Sequence, residues 1–287
     1  MHSNQMLASR FARNTRTLRA DQALSEDQMR FAAPSIFAES KHASRSDRYT
    51  YIPTIDVLRG LRKEGFEPFM VAQGGSRVEG KVEFTKHMIR MRHTGQVHAR
   101  PEANEIILIN SHDGASSYQM LAGMFRFVCC NGLVVGDVVE DIRIPHKGNI
   151  QGDVIEGAFR VLDEFEAVGE HADAMKSLQL RPPEEIAFAK AALALRFGDR
   201  ESDAAGERRP PPVTAEQLTV ARRPEDIGHS LWTTFQRVQE NVMRGGQAGR
   251  SAQGRRLQTR PVGSIDRGVS LNRALWMLAE EMRKLKA

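Results

Sequence analysis

The 287-residue chain sets 41 basic against 36 acidic residues, for a net charge of +5, and 40% of it is hydrophobic. That composition is ordinary for a globular protein able to bury a sizeable core, and no run of about 18 apolar residues exists to form a transmembrane helix. The only cysteines, Cys129 and Cys130, are adjacent, which excludes a zinc-type cysteine cluster and disfavours a disulfide between them. Free thiols in a reducing cytoplasm are the expectation.

In chain order, residues 1–47 read as a flexible basic arm, with a short helix around Asp21 to Arg30 ended by Pro34. The start lacks the apolar segment of a signal peptide. Thr54 is expected to cap a helix with Val57, Leu58 and Leu61 inward and Gly65 as its stop. Strands follow over Phe66 to Ala72, Phe84 to His93 and Glu105 to Asn110, joined by hairpins into an antiparallel sheet because the connections are too short for helical crossovers. Tyr118, Leu121, Met124, Phe125 and Val128 recur at helical spacing, so a helix is expected from Ser117 to Cys130, stopped by Asn131-Gly132, with Leu133 to Val135 as a short strand. Beyond residue 150 the pattern is helical. Asp153 and Glu156 suggest a capping box, Pro182-Pro183 a break, and Glu184 to Arg196 a further helix. The Pro-rich stretch 198–213 reads as a linker. Thr214 and Gln217 suit a capped start, Leu231 to Met243 a strongly periodic helix, and Ser270 the cap of a last helix carrying Leu271, Leu275, Leu278 and Met282. The resulting fold class is α+β: a small antiparallel sheet packed on helices (48–150), a helical segment (151–197), the linker, and C-terminal helices (214–287).

The stretch Asn110 to Tyr118, NSHDGASSY, places a serine, a histidine and an aspartate side by side. A hydrolytic triad draws its members from distant positions, so three consecutive residues do not make one. The stretch reads as strand, turn at Gly114, and helix cap at Ser116 or Ser117. Two other uses stay open: anion contact by Ser116 and Ser117 at a helix start, and a metal site of His112 and Asp113 with His87 or His93.

The most informative segment is residues 244–268. It holds Arg244, Arg250, Arg255, Arg256, Arg260 and Arg267 against the single acid Asp266, with Gly245, Gly246, Gly249 and Gly254 and almost no apolar residue. It reads as an Arg/Gly-rich loop suited to phosphate, since guanidinium forks pair with phosphate oxygens and glycine lets backbone approach them. The spacing of a nucleotide-binding P-loop is absent. A second cationic set lies on one face of the strand Phe84 to His93: Lys86, Arg90 and Arg92, with Gln73, Ser76 and Arg77 on the preceding hairpin. Gln236, Gln239, Glu240 and Asn241 form a polar helix face expected to position the arginine loop.

The motifs SDRYTYIPT, GFEPF, FTKHMIRMRH, NSHDGASSY, CCNGLVVG, RRPEDIGHSLWTTFQRVQENVMRGG and LNRALWMLAEEM, in that order, resemble the phage/plasmid-like proteins, a family with an uncharacterised domain found in prophages and conjugative plasmids. The likeness spans roughly residues 28 to 287. It implies a cytoplasmic protein of mobile DNA and supplies no catalytic residues. The order of elements is also similar to the core of Erf- and RecT-type single-strand annealing proteins, a likeness of fold alone.

The expected function is non-enzymatic binding of nucleic acid, single-stranded DNA above all, in recombination, annealing or plasmid establishment. No cofactor, metal or membrane is expected to take part. Phosphate contacts come from Lys86, Arg90, Arg92, Arg77, Arg244, Arg250, Arg255, Arg256 and Arg260, with Ser116 and Ser117, and a homo-oligomer is consistent with that use. The alternative is a protein-interaction module, such as an anti-defence factor that blocks a host nuclease. A metal-dependent enzyme using His87, His93, His112 and Asp113 is the third reading.

Overall fold

The computed structural model describes residues 15–43, 51, 53–96, 102–114, 116, 118–126, 131–134, 142–144, 150–198, 210–251 and 253–286. The expectations for Ser117, for Cys129 and Cys130, for the first residues of the arm and for most of the linker lie outside them. The chain divides into two compact units, residues 1–165 with 263–265, and residues 166–262 with 266–287. Among the described residues no helix is long and apolar enough to cross a membrane.

The first unit is an antiparallel meander in the order β1 (Thr15–Arg19), β2 (Phe66–Gly74), β3 (His87–His93), β4 (Glu102–Asn110), β5 (Tyr118–Arg126) and β6 (Asn131–Val134), with β7 (Ile142–Ile144) on β5 beyond the end of β6. The segment read as an arm therefore supplies an edge strand, and it goes on into α1 (Glu26–Ala32), capped by Ser25, whose Oγ accepts from the Gln28 N–H at 3.3 Å. One face of the sheet carries Phe66, Val71, Ile89, Met91, Ile106, Leu108, Tyr118 and Met120, all buried. Two further helices belong to this unit: α2 (Thr54–Lys63), which buries Ile55, Val57, Leu58 and Leu61, and α3 (Ile150–Asp163), whose Phe159 meets Phe66 edge-on at 5.4 Å.

The helix expected from Ser117 to Cys130 is strand β5. Neighbouring strands cover both of its edges, and both of its faces are buried, so nearly every position is apolar and the two-residue period is lost in the sequence. Asn131-Gly132 opens β6 rather than stopping a helix. Thr54 is the first residue inside α2, not its cap, and α8 (Ile265–Lys286) begins five residues before Ser270. Helix α3 likewise begins ahead of Asp153, so Asp153 lies in its first turn.

The sheet is curled. The Arg19 guanidinium sits 5.0 Å from the Phe125 ring centroid, although β1 and β5 lie four steps apart. A flat sheet at ~4.8 Å per strand would separate those strands by about 19 Å. The inner face is therefore enclosed, and it contains Arg90 and Arg92 of the second cationic set.

The second unit consists of α4 (Phe165–Ser177), α5 (Pro182–Phe197), the single turn α6 (Ala215–Leu218), α7 (Leu231–Arg244) and most of α8, with a hairpin of β8 (Ala248–Arg250) and β9 (Arg256–Gln258). The proline pair starts α5, where a missing N–H costs nothing. Thr214 and Gln217 form the expected capping box. Trp232, Phe235, Trp276 and Phe188 interlock in edge-on and tilted pairs with centroids 5.9–6.5 Å apart and form the core. At the chain end, Lys286 Nζ donates to Glu184 at 2.6 Å and ties α8 to the start of α5.

Candidate functional site

Residues from the motifs YIPT, TKH and NSHDG meet in the first unit around Thr54, which is fully buried. Thr54 Oγ1 lies 2.9 Å from His87 Nε2, 3.0 Å from Asn110 Nδ2, and 3.2 Å from both His112 Nε2 and the Tyr118 hydroxyl. On its other side His87 Nδ1 is 2.9 Å from Ser35 Oγ, whose hydroxyl donates to Gln73 Oε1 at 2.9 Å. Gln73 then donates to the Val82 carbonyl at 2.7 Å. The direction of this chain is set by the donors: Gln73 Oε1 accepts from Ser35, Ser35 Oγ accepts from His87 Nδ1–H, and His87 Nε2 accepts from Thr54. His87 is thus the neutral Nδ1–H tautomer. Burial, and next the nearby His112, push its pKa down to about 3.

This network is a sealed structural core. Ser35, Thr54, His87, Asn110 and His112 all have 0% exposure. Ser111 Oγ accepts from the Ser116 N–H at 2.8 Å, closing the turn on itself. Gly114 has the positive φ of 72° that the turn requires. The anion contact expected of Ser116 is overturned, because its N–H is spent inside the turn and the side chain is 8% exposed. Asp113 pairs with Lys81 at 3.2 Å. His93 accepts from the Gly95 N–H at Nδ1 and donates from Nε2 to the Glu64 carbonyl at 3.1 Å, which serves the C-terminus of α2. Among the described residues no group of three or more His, Cys, Asp or Glu is placed to hold a metal ion.

The cationic face of β3 exists, but it turns inward. Arg90 and Arg92 are each 4% exposed, and both hold Glu105 of β4: Arg90 Nε at 2.5 Å and Arg92 Nε at 2.9 Å. Arg90 also donates to the Leu133 carbonyl at 2.7 Å. The Arg92 guanidinium lies 4.2 Å from the Phe69 ring centroid and 4.5 Å from that of Phe125. Gly123 makes room for this group, since a Cβ there would stand 2.8 Å from Arg90 Nη2 and 2.7 Å from Ile107 Cδ1. Arg90 and Arg92 therefore cannot grip phosphate. Of the remaining expected contacts in this unit, Arg77 is exposed and Lys86 half-buried.

The arginine segment of the second unit is ordered rather than structureless. Gly249 lies so close to the chain at Pro212 that a Cβ would meet the Pro212 carbonyl at 2.1 Å, and Gly254 supplies the positive φ of 75° at the hairpin turn. The Arg250 N–H donates to the Pro212 carbonyl at 3.0 Å, and Gln217 Nε2 donates to the Ala248 carbonyl at 2.8 Å, so the outer edge of β8 is covered. Helix α7 seats the hairpin: Asn241 Oδ1 accepts from Gln247 Nε2 at 2.7 Å, and the Gly246 N–H donates to the Thr259 carbonyl at 2.8 Å. Gln236, Gln239, Glu240 and Asn241 are buried, and two of them reach the arginine segment: Asn241 holds Gln247 and Glu240 holds Arg244.

Arg250 and Arg256 stand directly opposite each other across the hairpin, both exposed, with Arg255 beside them. Among the described residues Arg250, Arg255, Arg256 and Arg260 have no carboxylate partner. Arg244 differs, because it binds Glu240 at 2.6 Å. A groove of about 690 Å³ runs along β9, lined by Arg196, Phe197, Leu257, Gln258, Arg260 and Arg267 among others, with no acid among the described lining residues. Arg196 reaches the Arg260 carbonyl, and Arg267 the Arg196 carbonyl, each at 3.0 Å. Arg196 and Phe197 were invisible as site residues in the sequence, where they read as the end of an ordinary helix.

Residues 41–276 match the family described as a Domain of unknown function (DUF932). The chain belongs to that family. It is 50% identical over 276 residues to the UPF0380 protein YafZ and, to the same degree, to the UPF0380 protein YfjQ, both of Escherichia coli strain K12, with 96% of this chain and 97% of each relative covered. No solved structure matches it significantly. In this DUF932 protein the family match runs from ahead of α2 through the hairpin and into α8, so the groove and all of the network except Ser35 lie within it.

Proposed function

We propose that this DUF932 protein binds nucleic acid without catalysis, through phosphate contacts made by the arginine hairpin of its second unit. Single-stranded DNA is the favoured polyanion, in recombination, annealing or plasmid establishment. The first unit is the scaffold in this reading. Its buried arginines take no part.

One observation carries the proposal: Arg250 faces Arg256 on an exposed hairpin with Arg255 alongside and no described carboxylate to offset them. Like charges directly opposite on a sheet destabilise it. A solvated loop has no need of that arrangement, whereas a polyanion turns the repulsion into attraction and releases counterions. Guanidinium groups on a fixed backbone bind phosphate regardless of sequence. The test is a titration of fluorescent oligonucleotides at rising salt. Affinity that falls steeply with salt supports the reading, and absence of binding at low salt removes it.

A further inference from the structure

The hairpin arginines hold only the backbone of a strand, and the groove beside them has a different chemistry. We propose that it is a nucleotide pocket which takes one or two unstacked bases of a single strand, with Phe197 as the stacking platform and Arg260 as the phosphate ligand. This inference rests on the nucleic-acid reading and narrows it to strands with accessible bases.

Several features converge in the groove. Its volume of about 690 Å³ falls in the range of small-ligand sites, roughly 300–1,000 Å³. Phe197, half-buried, lines it, and the Arg196 guanidinium lies 5.4 Å from the ring centroid. A base laid on such a pair gains contact with an aromatic face and a planar cation, which every base can use. Arg260 is exposed, with its own carbonyl fixed by Arg196, so its side chain projects from an anchored backbone. Gln258 lies in the groove on β9, whose ladder uses the N–H and C=O groups of Leu257 and leaves those of Gln258 on the outer edge. These groups can meet base edges without selecting a sequence.

The pairing of an aromatic ring with the Arg260 guanidinium fits a nucleotide better than an acidic peptide, whose carboxylates would use the cation and leave the ring idle. A duplex keeps its bases stacked inside and offers the groove nothing but outer phosphates.

The experiment compares the full-length protein's affinity for a short oligothymidylate and for an abasic oligomer of equal length, by fluorescence anisotropy. The wild type is expected to bind oligothymidylate roughly tenfold more tightly, the size of one base–aromatic stack. Phe197→Leu should erase the preference and leave the salt dependence unchanged, whereas Phe197→Tyr, which keeps the ring, should retain it. Arg260→Glu should weaken both probes. Equal wild-type affinity for the two probes, or a preference that survives in Phe197→Leu, overturns the pocket while the hairpin reading stands. Failure of the wild type to bind either probe at low salt removes both. Binding of a polyglutamate peptide that competes fully with oligothymidylate and is abolished in Phe197→Leu would reassign the groove to acidic peptides.

Discussion

Arg92 and Glu105 face each other inside the curled sheet at 2.9 Å, and the same carboxylate also holds Arg90. One buried anion thus serves two buried cations, and the excess positive charge rests against the rings of Phe69 and Phe125. Removing the anion breaks both of these buried ion pairs at once. Glu105→Gln should therefore destabilise the first unit by about 3–5 kcal/mol, read as a lower urea midpoint.

His87 makes stability depend on pH. Its folded pKa of about 3 lies below the ordinary value of 6.5. The unfolded chain takes up a proton as pH falls through 6.5, and the folded chain does not until about 3. Stability is therefore full above 6.5, falls between 6.5 and 3, and levels off below. At 1.36 kcal/mol per unit the loss from this one group is about 5 kcal/mol. His87→Gln should be less stable at neutral pH and show a flatter acid profile, measured by thermal unfolding between those limits.

Much of the fold follows from local patterns. Helix α7 and the capping box at Thr214 read directly from spacing, and so do β2, β3 and β4. Strand β5 does not, because burial on both faces removes the alternation that marks a strand. The alternation in β3 correctly grouped Arg90 with Arg92, but alternation tells which residues share a face and not whether that face is closed. Closure depends on the curl, and the curl on contacts such as Arg19 with Phe125, more than 100 positions apart in the chain. The hairpin was hidden for another reason. Its glycines and arginines bury little of their own, and they are ordered by Pro212 and Asn241 from other elements.

The facing arginines predict a trade between stability and binding. Arg256→Glu replaces a repulsive cross-strand pair by an attractive one, and should stabilise the second unit by about 0.2–1 kcal/mol while weakening oligonucleotide affinity. Thermal unfolding and anisotropy on the same preparation check both signs.

The seat of the hairpin is testable through Gly249. A methyl group there meets the backbone carbonyl of Pro212 at 2.1 Å, and no side-chain movement can relieve that clash. Gly249→Ala should cost about 1–3 kcal/mol and lower affinity with no change of charge, because the arginines lose their common frame.

The central claim is that exposed guanidiniums of the hairpin grip phosphates, and the salt dependence of binding measures it most directly. The slope of log affinity against log salt should fall in magnitude by about 0.7 for each single-strand phosphate that the protein no longer neutralises. Replacing Arg250, Arg255 and Arg256 together by glutamate should reduce the slope by about 2 and the low-salt affinity by orders of magnitude. An unchanged slope and affinity in that folded variant would contradict the account.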